Sequence, residues 1–132
     1  MLEIDVFLGL DPKNKITQLQ PDPAASHSGD EIMWHFHAID NTIKYVAIEF
    51  DKKVNFFDSR KGPTHQRHAK LMKKTKGGKG GHGHIFGVTP SIGAGNTEGK
   101  KYTVKAYDGD PLSGGKELKN YTYDPTIVTC DP

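Results

Sequence analysis

Residues 31–37 read Glu-Ile-Met-Trp-His-Phe-His, and the alternation within them decides the fold. In an extended chain Ile32, Trp34 and Phe36 project to one side and Met33, His35 and His37 to the other. A period of two is the mark of a half-buried strand, and it places Trp34 and Phe36 in a core. The same pattern extends outward in both directions. Leu2, Ile4, Val6 and Leu8 alternate at the N-terminus. After a turn at Asp40-Asn41, residues 42–50 are rich in β-branched and aromatic side chains, with Val46, Ile48 and Phe50 on one face and Ile43, Tyr45 and Ala47 on the other. Residues 101–107 set Tyr102, Val104 and Ala106 against Lys101, Thr103 and Lys105.

Shorter strands are expected at 15–20, 54–57 and 84–89, with turns or loops at 11–14, 21–30, 91–99 and 108–115 by composition. A last extended stretch over 120–129 is broken at Asp124-Pro125, which predicts an edge strand or two separate pieces. Strands of this length, with turns about every ten residues, predict an all-β fold. The expectation is a seven- or eight-stranded antiparallel sandwich, Ig-like or cupredoxin-like, in a single domain spanning 1–132.

Hydrophobic residues make up only 34% of the chain, and fifteen Gly and eight Pro account for part of the deficit. Cys130 is the sole cysteine, so an intrachain disulfide and a cysteine-based zinc site are both excluded. A reducing compartment fits, which makes a cytoplasmic location the expectation; export is the alternative if a leader has been removed. No apolar run approaches the ~18 residues of a membrane-spanning helix.

Charge is segregated. From Ser59 to Thr97 there is no Asp or Glu, yet eight of the eighteen Lys and Arg fall between Arg60 and Lys79. Without those eight, the remaining Lys and Arg are outnumbered by the sixteen Asp and Glu. The chain reads as an acidic β body carrying a basic, glycine-rich loop insertion over 59–83. Thr64 as a cap, with Pro63 before it, predicts a short helix through about Lys74. Gly77 to Gly83 reads as flexible. The candidate anion-binding residues are Arg60, Lys61, Arg67, Lys70, Lys73, Lys74, Lys76 and Lys79.

An anionic macromolecule or surface is the expected partner. Cations of this kind contact phosphates, but no aromatic residue lies between Phe57 and Phe86, so sequence-specific nucleic-acid reading by base stacking is not expected. Gly77-Gly78-Lys79-Gly80-Gly81 is not a Walker loop, because Lys79 is not followed by Ser or Thr.

Two His-x-His pairs form a second constellation: His35/His37 and His82/His84. On a strand, positions i and i+2 share a face, so each pair can offer two imidazoles to one Zn²⁺, Ni²⁺ or Cu²⁺ ion. His27, His65 and His68 are possible additions. No Gly-x-Ser-x-Gly elbow exists, and the aspartates fall mostly at strand ends and turns, so a non-catalytic protein is expected.

The stretch SGDEIMWHF (28–36) resembles the G-D-x-V-x-W strand of cupredoxin-like domains. KYTVKAY (101–107) followed by NYTYDPTIV (120–128) is similar to the closing hairpin of small bacterial members. The resemblance implies a β-sandwich fold. It does not imply blue-copper electron transfer, because that site needs a Cys closely followed by a His, and Cys130 is followed only by Asp131 and Pro132.

Three functions follow. The first is a small binding or assembly module contacting an anionic partner through the basic loop. The second is a histidine-rich metal-binding protein without a blue-copper site. The third is a structural subunit that forms a homodimer through sandwich edges.

Overall fold

The computed structural model describes residues 1–9, 13, 15–73 and 80–132. Lys74, Lys76 and Lys79 therefore lie outside the described residues, as do Asp11, Pro12 and Asn14 of the expected first turn. The described chain is all-β, with eleven strands. These are β1 (Leu2–Leu8), β2 (Thr17–Gln20), β3 (Ala24–His27), β4 (Glu31–Ala38), β5 (Tyr45–Glu49), β6 (Gln66–Lys70), β7 (Met72–Lys73), β8 (Gly81–Val88), β9 (Thr97–Lys101), β10 (Thr103–Tyr107) and β11 (Thr126–Cys130). The described helical elements are three single 3-10 turns, at Ser59–Lys61, Pro111–Ser113 and Lys119–Tyr121.

The strands form a five-stranded sheet in the order β2-β1-β4-β8-β7 and two three-stranded sheets, β10-β5-β6 and β3-β11-β9. One buried cluster joins them. It takes Ile4, Val6 and Leu8 from β1, Ile32, Trp34 and Phe36 from β4, Ile85 from β8, Val46 and Ile48 from β5, Val104 from β10 and Ile127 from β11. The sandwich expected from the alternation is present, and the inward residues of β1, β4, β5 and β10 are those the period of two assigned. Trp34 is the hub: Phe50, Phe56, Phe57 and Tyr102 pack around its ring at centroid distances of 5.7–6.3 Å.

Several details differ from the expectation, each for a physical reason. The described strands number eleven because β3 and β9, read as loop and turn, are recruited by β11 between them, and because β6 and β7 form within the basic segment. Two pairings are parallel, β1 with β4 and β3 with β11, so the sandwich is mixed and not purely antiparallel. Residues 54–57 are not a strand: Val54 N–H closes a turn onto Asp51 O, and Phe56 and Phe57 bond singly to Val88 and Thr64 without forming a ladder. The 120–129 stretch is indeed two pieces, a 3-10 turn and β11.

The largest difference is in the basic segment. Among the described residues 64–73 no helix forms; Gln66–Lys70 pairs antiparallel with β5, from Tyr45↔Lys70 to Glu49↔Gln66. Ala69, Leu71 and Met72 offer too thin an apolar face to anchor a helix that is marginal alone, whereas the edge of β5 supplies ready backbone partners. Nor are the described residues of 59–83 all loop, since they contribute β6, β7 and the start of β8 to the sheets. The described part of the glycine run is equally ordered. Gly81 and Gly83 face the core, and a Cβ on Gly83 would meet Leu71 Cδ2 at 2.9 Å. Glycine there admits a close neighbour and does not loosen the chain.

Candidate functional site

Two sites emerge, one on each side of His84. The first is a cleft of about 650 Å³ lined by Asn55, Phe56, Phe57, Asp58, Arg60, Lys61, Arg67, His68, His84, Ile85, Phe86, Val88 and Pro90. It lies where β6, in one sheet, approaches β8, in another. The 55–65 segment forms its wall and is tied down at both ends. Val88 N–H donates to Phe56 O (2.8 Å), Phe57 N–H to Thr64 O (3.0 Å) and Phe50 N–H to His65 O (2.7 Å). Thr64 Oγ1 donates to Asn55 Oδ1 at 2.6 Å.

The local sequence builds the cationic rim. Asp58 caps the 3-10 turn at Ser59–Lys61, its Oδ1 accepting from Arg60 N–H at 2.9 Å. Its carboxylate also takes the Arg60 guanidinium, with Nη2 to Oδ2 at 2.8 Å. The Arg60 side-chain hydrogen bonds hold the Asp58 carboxyl far below the usual carboxylate range, and Asp58 raises Arg60 in return. Arg67 turns its guanidinium over the Phe57 ring at 5.5 Å from the centroid. Its Nη2 donates to the carbonyls of Asp58 (2.8 Å) and Pro63 (3.4 Å), and the other guanidinium nitrogens have further N–H donors. Arg60, Lys61 and Arg67 thus outnumber the single carboxylate of Asp58. Below them the floor is apolar: Phe86 is 45% exposed and Val88 40% exposed, large side chains left open to the cleft.

Of the eight predicted anion-binding residues, the structure brings three together here. Lys70 is exposed and pairs with Tyr45 at the far end of β6. Lys73 lines a separate, smaller cavity with Asn41, Leu71 and Gly80. The aromatics absent from the basic run are supplied by its flanks: Phe57 and Phe86 bracket it in sequence and both line the cleft.

The second site is the outer face of the five-stranded sheet. Strand register sets His35 opposite His84 and His37 opposite His82. All four predicted metal-ligand histidines therefore share one face, with the His35 and His84 rings 4.9 Å apart and those of His82 and His84 6.4 Å apart. β1 adds a carboxylate to each row: Glu3 Oε1 is 3.0 Å from His35 Nε2, and Asp5 Oδ1 is 2.8 Å from His37 Nε2. Phe7 stacks on the His37 ring at 5.0 Å. The His84 imidazole is held below its ordinary pKa, first by burial and then by repulsion from His35, His82 and His37. His82 Nδ1 is buried and has no hydrogen-bond partner. As the side chains stand, no three His, Cys, Asp or Glu groups among the described residues converge in a metal-holding set.

The other histidines lie elsewhere. His68 lines the cleft and meets Tyr107 edge-on at 6.3 Å. His27 sits on β3 beside Asp30. Cys130 is on β11, in another sheet from the four histidines, its Sγ taking a bond from Thr97 Oγ1 at 3.8 Å. A His₂Cys copper set does not fit that placement. Among the described residues no helix is long and apolar enough to cross a membrane.

No family model matches the chain, and no curated protein matches it. Among solved structures the chain is similar to the crystal structure of Lac15 from a marine microbial metagenome, with a TM-score of 0.42 and 10% identity. That match covers 99% of this chain, which spans 32% of the other.

Proposed function

We propose that this protein is a non-catalytic binding module of cupredoxin-like architecture, and that its anionic partner is an amphipathic one held in the cleft between β8 and residues 55–68. One observation carries the reading: a cleft of about 650 Å³ in which exposed apolar side chains of Phe86 and Val88 face the cations Arg60, Lys61 and Arg67. Its volume falls within the ordinary range of ligand pockets, ~300–1,000 Å³, which combine an apolar lining with a few placed polar groups. An acid group would sit against Lys61 and the free N–H groups of Arg67, and an aromatic or aliphatic body against Phe57 and Phe86. Stacking beside Arg67 favours a flat body, because the guanidinium already lies on the Phe57 ring.

Two of the six described sheet edges, β7 and β9, give less support to assembly as a dimer. β7 is two residues long and β9 is the charged stretch TEGKK, features that discourage edge pairing.

The test compares 2-naphthoate with its neutral isostere 2-naphthamide by isothermal calorimetry. At about −0.3 kcal/mol per heavy atom, naphthoate should bind with a Kd of about 1 mM or tighter. Naphthamide should bind at least about fivefold more weakly, as should naphthoate to the Arg60→Ala/Lys61→Ala double variant. Equal binding of the two compounds, or no binding of either, overturns the proposal. Heparin binding without naphthoate binding overturns the cleft in favour of a surface contact.

A further inference from the structure

The outer face of β4 and β8 carries a second feature, which shares only His84 with the anion cleft. Four imidazoles stand in two cross-strand rows on the two adjacent strands, backed by Glu3 and Asp5 from β1. We propose that this face binds one borderline divalent cation (Cu²⁺, Ni²⁺ or Zn²⁺), with His35 and His84 as its first two ligands and His82 as the third.

Three observations converge on it. First, distance. With metal–nitrogen bonds of about 2.0–2.1 Å, two imidazoles on one ion at a tetrahedral angle have ring centroids about 5 Å apart. The His35 and His84 rings are 4.9 Å apart without any movement. Second, the backing carboxylates. Glu3 accepts at His35 Nε2 and Asp5 at His37 Nε2. A proton held at Nε2 leaves the lone pair on Nδ1, which is the carboxylate–histidine–metal arrangement that orients ligating imidazoles and raises their basicity. Third, an orphan. His82 Nδ1 is the one buried side-chain polar atom among the described residues without a hydrogen-bond partner. A buried polar group in that condition calls for an explanation, and an ion is one.

The site is poised and not closed. His82 and His84 are 6.4 Å apart, more than an Å beyond the shared-ligand distance. Closure requires rotation of the His82 ring toward His84 while the strands keep their register. His37 is turned the other way, stacked on Phe7 and bonded to Asp5, and serves as a fourth ligand only if it leaves them. Imidazole donors without thiolate suit Cu²⁺, Ni²⁺ and Zn²⁺ and discriminate against Mg²⁺ and Ca²⁺.

The test titrates NiCl₂, ZnCl₂ and CuCl₂ separately into the full chain at pH 7.5, with MgCl₂ as the negative control, and reads stoichiometry and affinity by calorimetry. Expected are one transition-metal ion per chain and no Mg²⁺ binding. His35→Ala and His84→Ala should each weaken binding at least tenfold, and Glu3→Gln about tenfold as a positioning change. His27→Ala, on a different sheet, should leave affinity unchanged. His35 and His82 do not line the anion cleft, so their variants separate this proposal from the preceding one. Loss of metal in His35→Ala with 2-naphthoate binding intact supports two independent sites. Absence of stoichiometric binding overturns the proposal, and so does affinity retained in both His35→Ala and His84→Ala. Co²⁺ loading gives a second readout: a visible d–d band that shifts in His82→Ala supports that residue as the third ligand, and an unchanged band removes it.

Discussion

Replacing Tyr102 with Phe removes one oxygen from the centre of the sandwich, and its cost follows from the neighbours. Trp34 Nε1–H donates to Tyr102 Oη at 3.2 Å, and the two residues are 0% and 2% exposed. The ring of Tyr102 is 5.7 Å from that of Trp34 and 5.0 Å from that of Phe50, so the ring is held among aromatic neighbours. In Tyr102→Phe the ring packing is preserved and the indole N–H is left without an acceptor. An orphaned buried donor costs about 1–3 kcal/mol, and relief from burying the phenol oxygen returns a fraction of that. The net expectation is a loss of about 1–2 kcal/mol. Unfolding entropy of about 2.1 cal/mol/K per residue gives roughly 0.28 kcal/mol/K for a chain of this length, so Tm should fall by about 4–7 °C. The assay is a thermal melt followed by far-ultraviolet circular dichroism, run on Tyr102→Phe, Trp34→Phe and the double variant. Because Trp34→Phe already lacks the donor, the hydroxyl should matter little in that background, giving a coupling of about 1 kcal/mol. A Tm loss under 2 °C, or the same loss in both backgrounds, would refute the argument that this bond is what the hydroxyl is for.

Two further perturbations follow from the geometry. Gly80 has φ +88°, and a Cβ there would lie 2.3 Å from Ala38 O, whereas Gly29 has φ +86° with nothing within 4 Å. Gly29→Ala should therefore cost only the left-handed backbone, about 1 kcal/mol, and Gly80→Ala about 2–4 kcal/mol once the clash is added; urea midpoints at unchanged m-value measure both, and equal costs would contradict the packing. Asp40 accepts from Thr42 N–H, Thr42 Oγ1 and Tyr121 Oη. Burial raises its pKa, yet those bonds together with the charge of Lys15 hold it below its ordinary value. Its stabilisation is complete above about pH 5, where the unfolded carboxyl is ionised, and is lost as pH falls through the lower folded value. Tyr121→Phe should accordingly shift the acid-unfolding midpoint, followed by Trp34 fluorescence, to higher pH; an unchanged midpoint would count against it.

The parts of the fold legible in the sequence are those where both neighbours agree with the alternation. β4 and β10 are read correctly because every second residue, Ile32, Trp34 and Phe36 or Val104 and Ala106, is apolar and mostly polar residues lie between. β8 alternates just as strictly, but as Gly-His-Gly-His, and a glycine facing a core looks in sequence like a glycine in a mobile loop. Only Leu71 packed against Gly83 reveals the difference. Residues 66–70 form a strand because the edge of β5 is available, a tertiary fact that overrides the capping signal at Thr64. The candidate sites divide in the same way. The i, i+2 spacing puts His35 with His37 and His82 with His84, but bringing the two pairs together depends on cross-strand register, which no local pattern encodes. Arg60, Lys61 and Arg67 converge because Asp58 and the carbonyl of Pro63 fold the segment back on itself, while Lys70 and Lys73 leave on the strands that follow.

β4 is flanked on both sides, by β1 through seven parallel pairs and by β8 through eight antiparallel ones. Its inner face is Trp34 and the core; its outer face is His35 and His37. A strand so placed has no inexpensive local opening, and its amides should exchange only when the whole domain unfolds. The histidine backbone therefore sits at the most protected depth of the energy landscape, unlike a binding loop that frays at little cost. Anything captured between β4 and β8 stabilises the entire sandwich by RT ln(1 + [L]/Kd), and that increment appears as slower exchange across all strands of the core at once.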